Sequence, residues 1–174
     1  MFLKEMPSYQ MLLDCAKRYP SMDLLTTEAY LHVVRTGTYL QHCVERKLAR
    51  LGTSHGRFMI LALLANLPGK AQPVSTLARM LGVTMPTVSS LITGMARDGL
   101  VRRVLDPEDR RLVRVELLPD GLSLHDALLP GLFRDQDEIM AGLDETEMRV
   151  LITLLAKVRL DAGPCAGERE AREA

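Results

Sequence analysis

Apolar residues recur every three or four positions over much of this chain, which is the repeat of an amphipathic helix. The repeat predicts a long helix from about Leu24 to Leu51, with Gly52 just after its end. A second helix is predicted to begin at Thr53-Ser54 and to close at Pro68-Gly69. Packed helices also suit a chain in which aromatic residues are scarce and tryptophan is absent.

The same repeat returns in the last third of the chain. One helix is predicted from about residue 119 to about Met140, with a disturbance at Pro130. A final helix is predicted to begin at Asp144, because Asp144 and Glu147 have the spacing of a capping box. We expect these apolar helices to fold together with the first long helix and to leave surface for a second copy of the chain.

The middle of the chain has a different pattern. Two short helical repeats meet at a tight glycine turn, with Ser75 predicted to cap the first helix and Thr84 the second. Alternating apolar and polar residues then predict a hairpin with strands near 100–105 and 112–118. A short segment at 72–74 is predicted to add an edge strand.

This order of elements predicts a mainly α fold with a small β-hairpin wing, in which a winged helix-turn-helix is flanked by N- and C-terminal dimerisation helices. The predicted DNA-binding domain spans residues 53–118. Residues 22–52 and 119–160 are predicted to form the helical dimerisation region. Residues 1–21 are predicted to be an N-terminal extension and residues 161–174 a disordered tail.

Charge is unevenly distributed along the chain. The 22 basic and 22 acidic residues cancel overall. Residues 1–114 hold 16 basic and 9 acidic residues, a net charge of +7, and residues 115–174 hold 6 and 13, a net charge of −7. This asymmetry indicates one face suited to a polyanion and another face kept away from it.

Other function classes find little support in the sequence. No apolar run approaches the roughly 20 residues that cross a bilayer, and no secretory leader is evident, so we expect a cytoplasmic protein with no membrane partner. The three cysteines form no CxxC pair, which predicts neither a disulfide framework nor a metal site. Since no nucleophile-and-base pair and no phosphate loop is found, we expect no enzyme activity and no cofactor.

The second short helix, from Thr84 to about Asp98, has the composition of a helix that enters the major groove. With Val88 at the centre of its buried face, the opposite face carries small polar residues that permit close approach to bases and phosphates. Ser90 and Gly94 give this face no bidentate arginine toward guanine, and Arg97 lies near its C-terminal end. We therefore expect much of the affinity to come from flanking basic residues.

The hairpin tip supplies the second part of the predicted DNA surface. Asp109 can brace one of two neighbouring arginines by a charge-assisted hydrogen bond, while the other enters a narrow minor groove. The alternative is a solvated turn of mixed charge. The predicted DNA-binding residues are Thr84, Pro86, Thr87, Ser89, Ser90, Thr93, Arg97, Arg103, Asp109, Arg110 and Arg111. The flanking candidates for phosphate contact are Arg57, Lys70, Arg102 and Arg114.

Several of these motifs together resemble the MarR family of bacterial transcriptional regulators. The matching motifs are Leu77-Ala78, Leu81-Gly82-Val83, Pro86-Thr87-Val88-Ser89, Gly99-Leu100-Val101, Asp106-Pro107-Glu108-Asp109-Arg110-Arg111 and Leu117-Leu118-Pro119-Asp120-Gly121. The resemblance covers roughly residues 24–160. It implies an obligate homodimer whose winged helices bind a pseudo-palindromic operator in double-stranded DNA. It also implies repression that is relieved by a small, often phenolic or anionic, ligand or by thiol oxidation.

The chain departs from the family pattern at three points. Many relatives carry arginine where this chain has Ser90 and Gly94, and the N-terminal extension is longer than is common. Cys15 lies upstream of the place where peroxide-sensing relatives have their reactive cysteine. We therefore do not carry the sensing role over to Cys15.

The resemblance places an effector between the dimerisation helices and the DNA-binding domain. The residues predicted to line this region are Arg35, Tyr39, His42, His55, Phe58 and Met59. An arginine with a nearby histidine can hold a carboxylate or phenolate, which predicts a small aromatic or anionic effector. The same residues also fit an ordinary core and an ordinary surface.

Two alternative functions stay open at this point. Cys43 is close in sequence to His42, Arg46 and Lys47, whose positive charge would favour a thiolate, so one alternative is a thiol-based redox-sensing regulator. The other is a winged-helix module that binds proteins and has no operator of its own. The absence of arginine at positions 90 and 94 of the predicted helix keeps this second alternative open.

Overall fold

The computed structural model describes residues 6–67, 71–106 and 112–161. Within them the chain is mainly helical and holds one small antiparallel sheet, as the sequence predicted. The helices are α1 (Tyr9–Arg18), α2 (Leu24–Arg50), α3 (His55–Asn66), α4 (Val74–Leu81), α5 (Met85–Arg97), α6 (Pro119–Met140) and α7 (Glu145–Asp161). The strands are β1 (Ala71–Pro73), β2 (Val101–Leu105) and β3 (Val113–Leu117). None of these helices is both long and apolar enough to cross a membrane.

The chain forms two compact units, residues 1–127 and residues 128–174, and the first contains a continuous apolar core. The buried side chains of this core come from three helices and two strands: Ile60, Leu61, Leu64, Val74, Leu77, Ala78, Val88, Ile92, Met95, Val101 and Val115. Burial of one such side chain contributes roughly 1.5–3 kcal/mol. Because α3, α4, α5 and the hairpin all contribute side chains to this cluster, the cluster fixes their positions relative to one another.

The helix-turn-helix is formed by α4 and α5. Gly82 ends α4 in the left-handed region, at φ +65°, where glycine has no steric penalty. The N–H of Val83 donates to the carbonyl of Ala78 at 3.1 Å, and Thr84 then caps α5. Pro86 lies in the first turn of α5, where its missing N–H costs nothing. The turn and the cap of α5 are therefore as predicted.

The hairpin strands β2 and β3 pair in antiparallel register, with Arg103 opposite Val115. β1 pairs with the other side of β3, so the strand order is β1-β3-β2 and the predicted edge strand is confirmed. The N–H of Asp106 donates to the carbonyl of Leu112 at 3.0 Å. This bond closes the hairpin just beyond its two strands.

α1 and α2 each begin at a side chain that caps the helix. Ser8 accepts the N–H of Met11, and Asp23 accepts the N–H of Thr26 at 2.6 Å. The hydrogen bonds from Thr26 favour the ionised carboxylate and hold the pKa of Asp23 below its ordinary value. α1 contacts α2, and its Leu12 is buried. The predicted N-terminal extension therefore contains a packed helix.

In the second unit, α7 begins with the predicted capping box. The N–H of Glu147 donates to the Asp144 carboxylate at 2.8 Å, and the N–H of Asp144 donates back to Glu147 at 2.9 Å. Large apolar side chains of α7 are exposed in the single chain: Val150, Ile152, Leu154, Leu155, Val158 and Leu160. Exposed apolar surface of this extent is typical of an interaction site.

Two predictions about helix breaks and caps are wrong. α6 runs through Pro130 without interruption. A proline removes only one N–H donor from the helix, and buried leucines two residues before and after it hold the backbone in place. Ser75 lies inside α4 instead of capping it, because the helix begins at the buried Val74 and its N-cap position is Pro73, which makes no side-chain hydrogen bond.

Three predictions fall outside the described residues. They concern the turn at Pro68-Gly69, the hairpin tip at 107–111 and the C-terminal tail. Only the end of α7 at Asp161 belongs both to the predicted tail and to the described part of the chain.

Gly121, in the first turn of α6, lies directly against the backbone of Leu100. A Cβ at this position would be 2.1 Å from the Leu100 carbonyl oxygen and 2.8 Å from Leu117 Cδ1, so alanine cannot fit unless the backbone moves. We expect Gly121→Ala to lower the free energy of unfolding by about 2–3 kcal/mol, measured by urea unfolding at one fixed protein concentration. Gly94→Ala is the matched control, because nothing lies within 4 Å of a Cβ there and alanine favours a helix by about 1 kcal/mol. A Gly121→Ala protein as stable as the wild type would contradict this packing.

Candidate nucleic-acid interface

The N-terminal turn of α5 is exposed and carries hydroxyl groups. Thr84 Oγ1 accepts the N–H of Thr87 at 3.4 Å and lies 2.9 Å from the Thr87 hydroxyl. All residues from 82 to 87 are exposed. Because Pro86 has no N–H and Thr87 donates its N–H to Thr84, this turn presents the Met85 N–H and the positive end of the helix dipole to solvent. A helix terminus of this kind can bind a phosphate group.

The side of α5 that faces away from the core is small and polar, as predicted. Its exposed residues are Pro86, Ser90, Thr93 and Arg97. The Arg97 side chain is 85% exposed, and its Nε lies 3.9 Å from the carboxylate of the neighbouring Asp98. Without bulky side chains, this surface can approach base edges closely.

Three of the predicted DNA-binding residues contact one another. Arg103 Nη2, from β2, donates to the carbonyl of Ser89 at 3.0 Å and to Thr93 Oγ1 at 2.8 Å. Thr93 Oγ1 in turn donates to the Ser89 carbonyl at 2.8 Å. The structure therefore joins a wing strand to the outer side of α5 through a guanidinium group.

Arg57 and Asp98 join the start of α3 to the end of α5. Arg57 Nη2 lies 2.5 Å from Asp98 Oδ2, and the two side chains are 25% and 41% exposed. Arg57 Nε is buried and has no hydrogen-bond partner in the described part of the chain. The charge of this flanking candidate is thus balanced within the protein.

Two more flanking arginines have carboxylate partners in the sheet. Arg102 Nε donates to Glu116 at 2.8 Å, and this hydrogen bond and the charge of Glu116 raise the pKa of Arg102 above its usual value. Arg114 Nε donates to the buried carboxylate of Asp106, and Arg114 Nη1 lies 3.4 Å from the carbonyl of Ala71. The base of the wing is therefore held by internal ion pairs.

The predicted wing-tip residues Asp109, Arg110 and Arg111 lie outside the described residues, as does Lys70. Their contribution to DNA binding stays a prediction. The ends of the wing-tip segment are fixed by the hydrogen bond between Asp106 and Leu112 described above.

An open groove of about 450 Å³ follows the middle of α2 and is lined by Tyr39, His42, Glu45 and Arg46. It brings together two of the predicted effector residues, Tyr39 and His42. Arg46 Nη2 also lies 3.7 Å from Cys43 Sγ. A phenol ring, an imidazole and a guanidinium group on one face of a helix suit a small aromatic anion.

The other predicted effector residues do not line this groove. Phe58 is buried and stacks on His125, with ring centroids 5.9 Å apart, and His125 Nδ1 lies 2.9 Å from Asp126 Oδ1. The remaining three, all half-buried, are Arg35, His55 and Met59. The structure therefore places Tyr39 and His42 at the α2 groove and Phe58 in the packed interior.

Sequence reasoning missed Glu45 and Arg46 as groove residues. They follow His42 by three and four positions, which places them on the same face of a helix, so the spacing alone contains this information. It also missed His125, because nothing in the sequence connects this residue with Phe58, far away along the chain.

A helix-turn-helix with a small polar outer face, packed on a three-stranded sheet with a hairpin wing, defines the winged helix-turn-helix class. The sequence model of the MarR family matches residues 51–112. The chain is also 30% identical over 155 residues to the HTH-type transcriptional repressor YetL of Bacillus subtilis (strain 168), a match that covers 89% of this chain and 93% of that protein. The chain belongs to the MarR family of transcriptional regulators.

Solved structures of MarR-family proteins share the fold. MepR of S. aureus, solved in complex with DNA, has a TM-score of 0.68 at 22% identity, over 76% of this chain and 97% of that one. A MarR family regulator from Streptomyces coelicolor, also solved in complex with DNA, has a TM-score of 0.74 at 21% identity, over 82% of this chain and 91% of that one. These likenesses confirm the predicted winged helix-turn-helix fold.

The Asp106 carboxylate, 3% exposed, is the most buried charged group in the two ion pairs at the base of the wing. Asp106→Asn removes its charge from beside Arg114. Because the Arg114 side chain is 36% exposed, we expect a smaller loss than for a fully buried pair, about 2 kcal/mol of unfolding free energy. Glu116→Gln, which removes the more exposed pair with Arg102, is the control and should cause no resolvable change in urea unfolding. Equal losses in the two variants would contradict this ranking of the two ion pairs.

Proposed function

We propose that this protein is a homodimeric repressor of nearby genes that binds a pseudo-palindromic operator and is released from it by a small aromatic or anionic effector. The observation that carries the proposal is the outward face of α5, which the core holds exposed, small and polar beside the hairpin wing. A helix of this kind enters the major groove with its outward face toward the base edges.

The relatives support the same function. YetL is named a transcriptional repressor, which favours repression as the sign of regulation. MepR and the Streptomyces coelicolor regulator were both solved with DNA, which favours duplex DNA as the partner.

We assign two kinds of contact to the DNA surface. Thr84 and the Met85 N–H at the start of α5 bind phosphate and orient the helix, while Ser90 and Arg97 face the base edges. Three flanking arginines are already paired with carboxylates. The wing-tip residues Arg110 and Arg111 therefore supply much of the salt-dependent affinity.

The wing assignment is tested with a duplex that the wild-type protein enriches from genomic fragments of its source organism, called here the operator duplex. We expect the double variant Arg110→Ala and Arg111→Ala to bind this duplex at least roughly tenfold more weakly at about 0.15 M salt. Because each of the two subunits loses two cations, the slope of log K against log salt should fall by about four. Fluorescence anisotropy over a salt series measures both quantities.

A matched control removes the same charge from α1, by Lys17→Ala with Arg18→Ala, and should leave the salt slope unchanged. A wing variant with the wild-type slope would contradict the wing assignment. Failure to enrich any genomic fragment would overturn the repressor proposal and favour a protein-binding module.

The homodimer is supported by the exposed apolar surface of α7. Val150, Leu154 and Val158, spaced four residues apart, form one stripe and are 52%, 54% and 52% exposed in the single chain. A second copy that covers this stripe removes it from water. Two-fold symmetry of the protein then matches two-fold symmetry of the operator.

We expect Leu154→Glu to convert the dimer to a monomer, because it places a charge at the centre of the stripe. Arg159→Glu is the control, since it introduces the same side chain about 140° around the helix. Sedimentation equilibrium measures the assembly state of both variants. A wild-type protein that sediments as a monomer would contradict the proposed dimer. A Leu154→Glu protein that dimerises as tightly as the wild type would contradict the proposal that this stripe forms the dimer interface.

We assign the effector to the groove on α2, whose volume of about 450 Å³ suits a small molecule. Benzoate is a suitable probe, since it combines an aromatic ring for Tyr39 with a carboxylate for Arg46. We expect millimolar benzoate to weaken operator binding by the wild type and by the control Arg50→Ala, but not by Arg46→Ala. Equal responses of the two variants in anisotropy would place the effector elsewhere.

A further inference from the structure

The contact between Arg103 and α5 connects the two parts of the DNA surface. Residues two apart on a strand share a face, so Arg103 lies on the face of β2 that carries the buried Val101. α5 packs against this face, and a single nitrogen of Arg103 reaches both Ser89 and Thr93 on its outer side. The link is therefore built across the packed interface between the wing and the helix.

Arg102, the next residue along the strand, lies on the opposite face. Its Nε donates to Glu116 on β3, so its ion pair remains within the sheet. Of these two adjacent arginines, Arg103 is the one with a hydrogen bond to α5. Because of this difference, a substitution of Arg102 is a matched control for the same substitution of Arg103.

Apolar packing is not directional and tolerates small rotations of a helix about its own axis. A charged, planar guanidinium has donors in fixed directions, so its hydrogen bonds define a geometry. Arg103 binds acceptors on two successive turns of α5, at 3.0 Å and 2.8 Å. It can therefore fix the rotation of α5 with respect to the wing more closely than the core does.

We propose that Arg103 is a positioning residue for operator recognition, which acts through Ser89 and Thr93 and sets the orientation of the α5 face that carries Ser90 and Arg97. This inference rests on the proposed DNA-binding function. It also gives Thr93 a different role from a base contact, because its hydroxyl donates to Ser89 and accepts from Arg103.

The test compares Arg103→Lys, which keeps the charge but loses the planar fork, with Thr93→Val, which keeps the shape but loses the hydroxyl. We expect each variant to lower the ratio of operator to non-specific affinity about tenfold. The double variant should lose no more operator affinity than the single variant that binds the operator less tightly, since both substitutions break the same link. The salt slope should not change, and Arg102→Lys should bind as the wild type does.

If Arg103 is instead a simple phosphate contact, the variants will show a different set of affinities, which would overturn the inference. In that case Thr93→Val and Arg103→Lys would bind normally. Arg103→Ala would weaken operator and non-specific binding equally, and would reduce the salt slope by about two, one for each subunit of the dimer.

Amide hydrogen exchange of the free protein provides a second readout that does not need an operator. We expect exchange in residues 89–97 to accelerate about tenfold in Arg103→Lys and Thr93→Val, and to be unchanged in Arg102→Lys. Wild-type exchange in the first two variants would overturn the inference. If no genomic fragment is enriched, the proposed function fails, and this measurement alone decides whether Arg103 positions α5.

Discussion

The burial of Val88, Ile92 and Met95 is the constraint on which the DNA surface depends. These side chains are fully buried in a cluster shared by three helices and the hairpin. Because they occupy one side of α5, its small polar side must face solvent. This packing determines the exposed N-terminal turn of α5, its small polar outer face and the position of the neighbouring wing. The core of the first unit therefore also presents the proposed DNA surface.

Polar contacts fix the relative orientation of elements that the apolar core holds together. Arg57 with Asp98, Arg103 with Ser89, and Arg114 with Asp106 each connect two separate elements of the first unit. The ion pairs also balance much of the positive charge at the base of the wing. Part of the basic excess in this domain is thus paired within the protein. The proposed contacts to DNA phosphate are therefore assigned to the remaining cations, including those of the wing tip.

Much of the fold could be predicted because its signals are local. The caps at Thr84 and Asp144 and the repeat of apolar residues are read from a few neighbouring positions, and the structure confirms them. The break at Pro130 and the cap at Ser75 were wrong because tertiary packing overrides local preference at both places. The polar face of α5 follows from helical geometry, so the sequence reveals it.

Contacts between distant elements could not be predicted in the same way. The ion pair of Arg57 with Asp98 and the ring stack of Phe58 on His125 depend on how helices pack, and neither leaves a pattern in the sequence. The same holds for Arg103, which the sequence offers as a DNA contact and the structure turns toward α5. Residue type and position therefore identify the candidate site, whereas the partners of each charged side chain require the fold.

In the proposed homodimer, two copies of α5 present their outer faces to the major groove of one operator. Affinity cleavage tests this arrangement most directly, with an iron chelate attached to Ser90→Cys in a protein whose three native cysteines are replaced by serine. We expect cleavage at two symmetry-related major-groove positions about one helical turn apart in the operator duplex. Absence of cleavage, or the same pattern from a chelate at Thr146→Cys on α7, would contradict it.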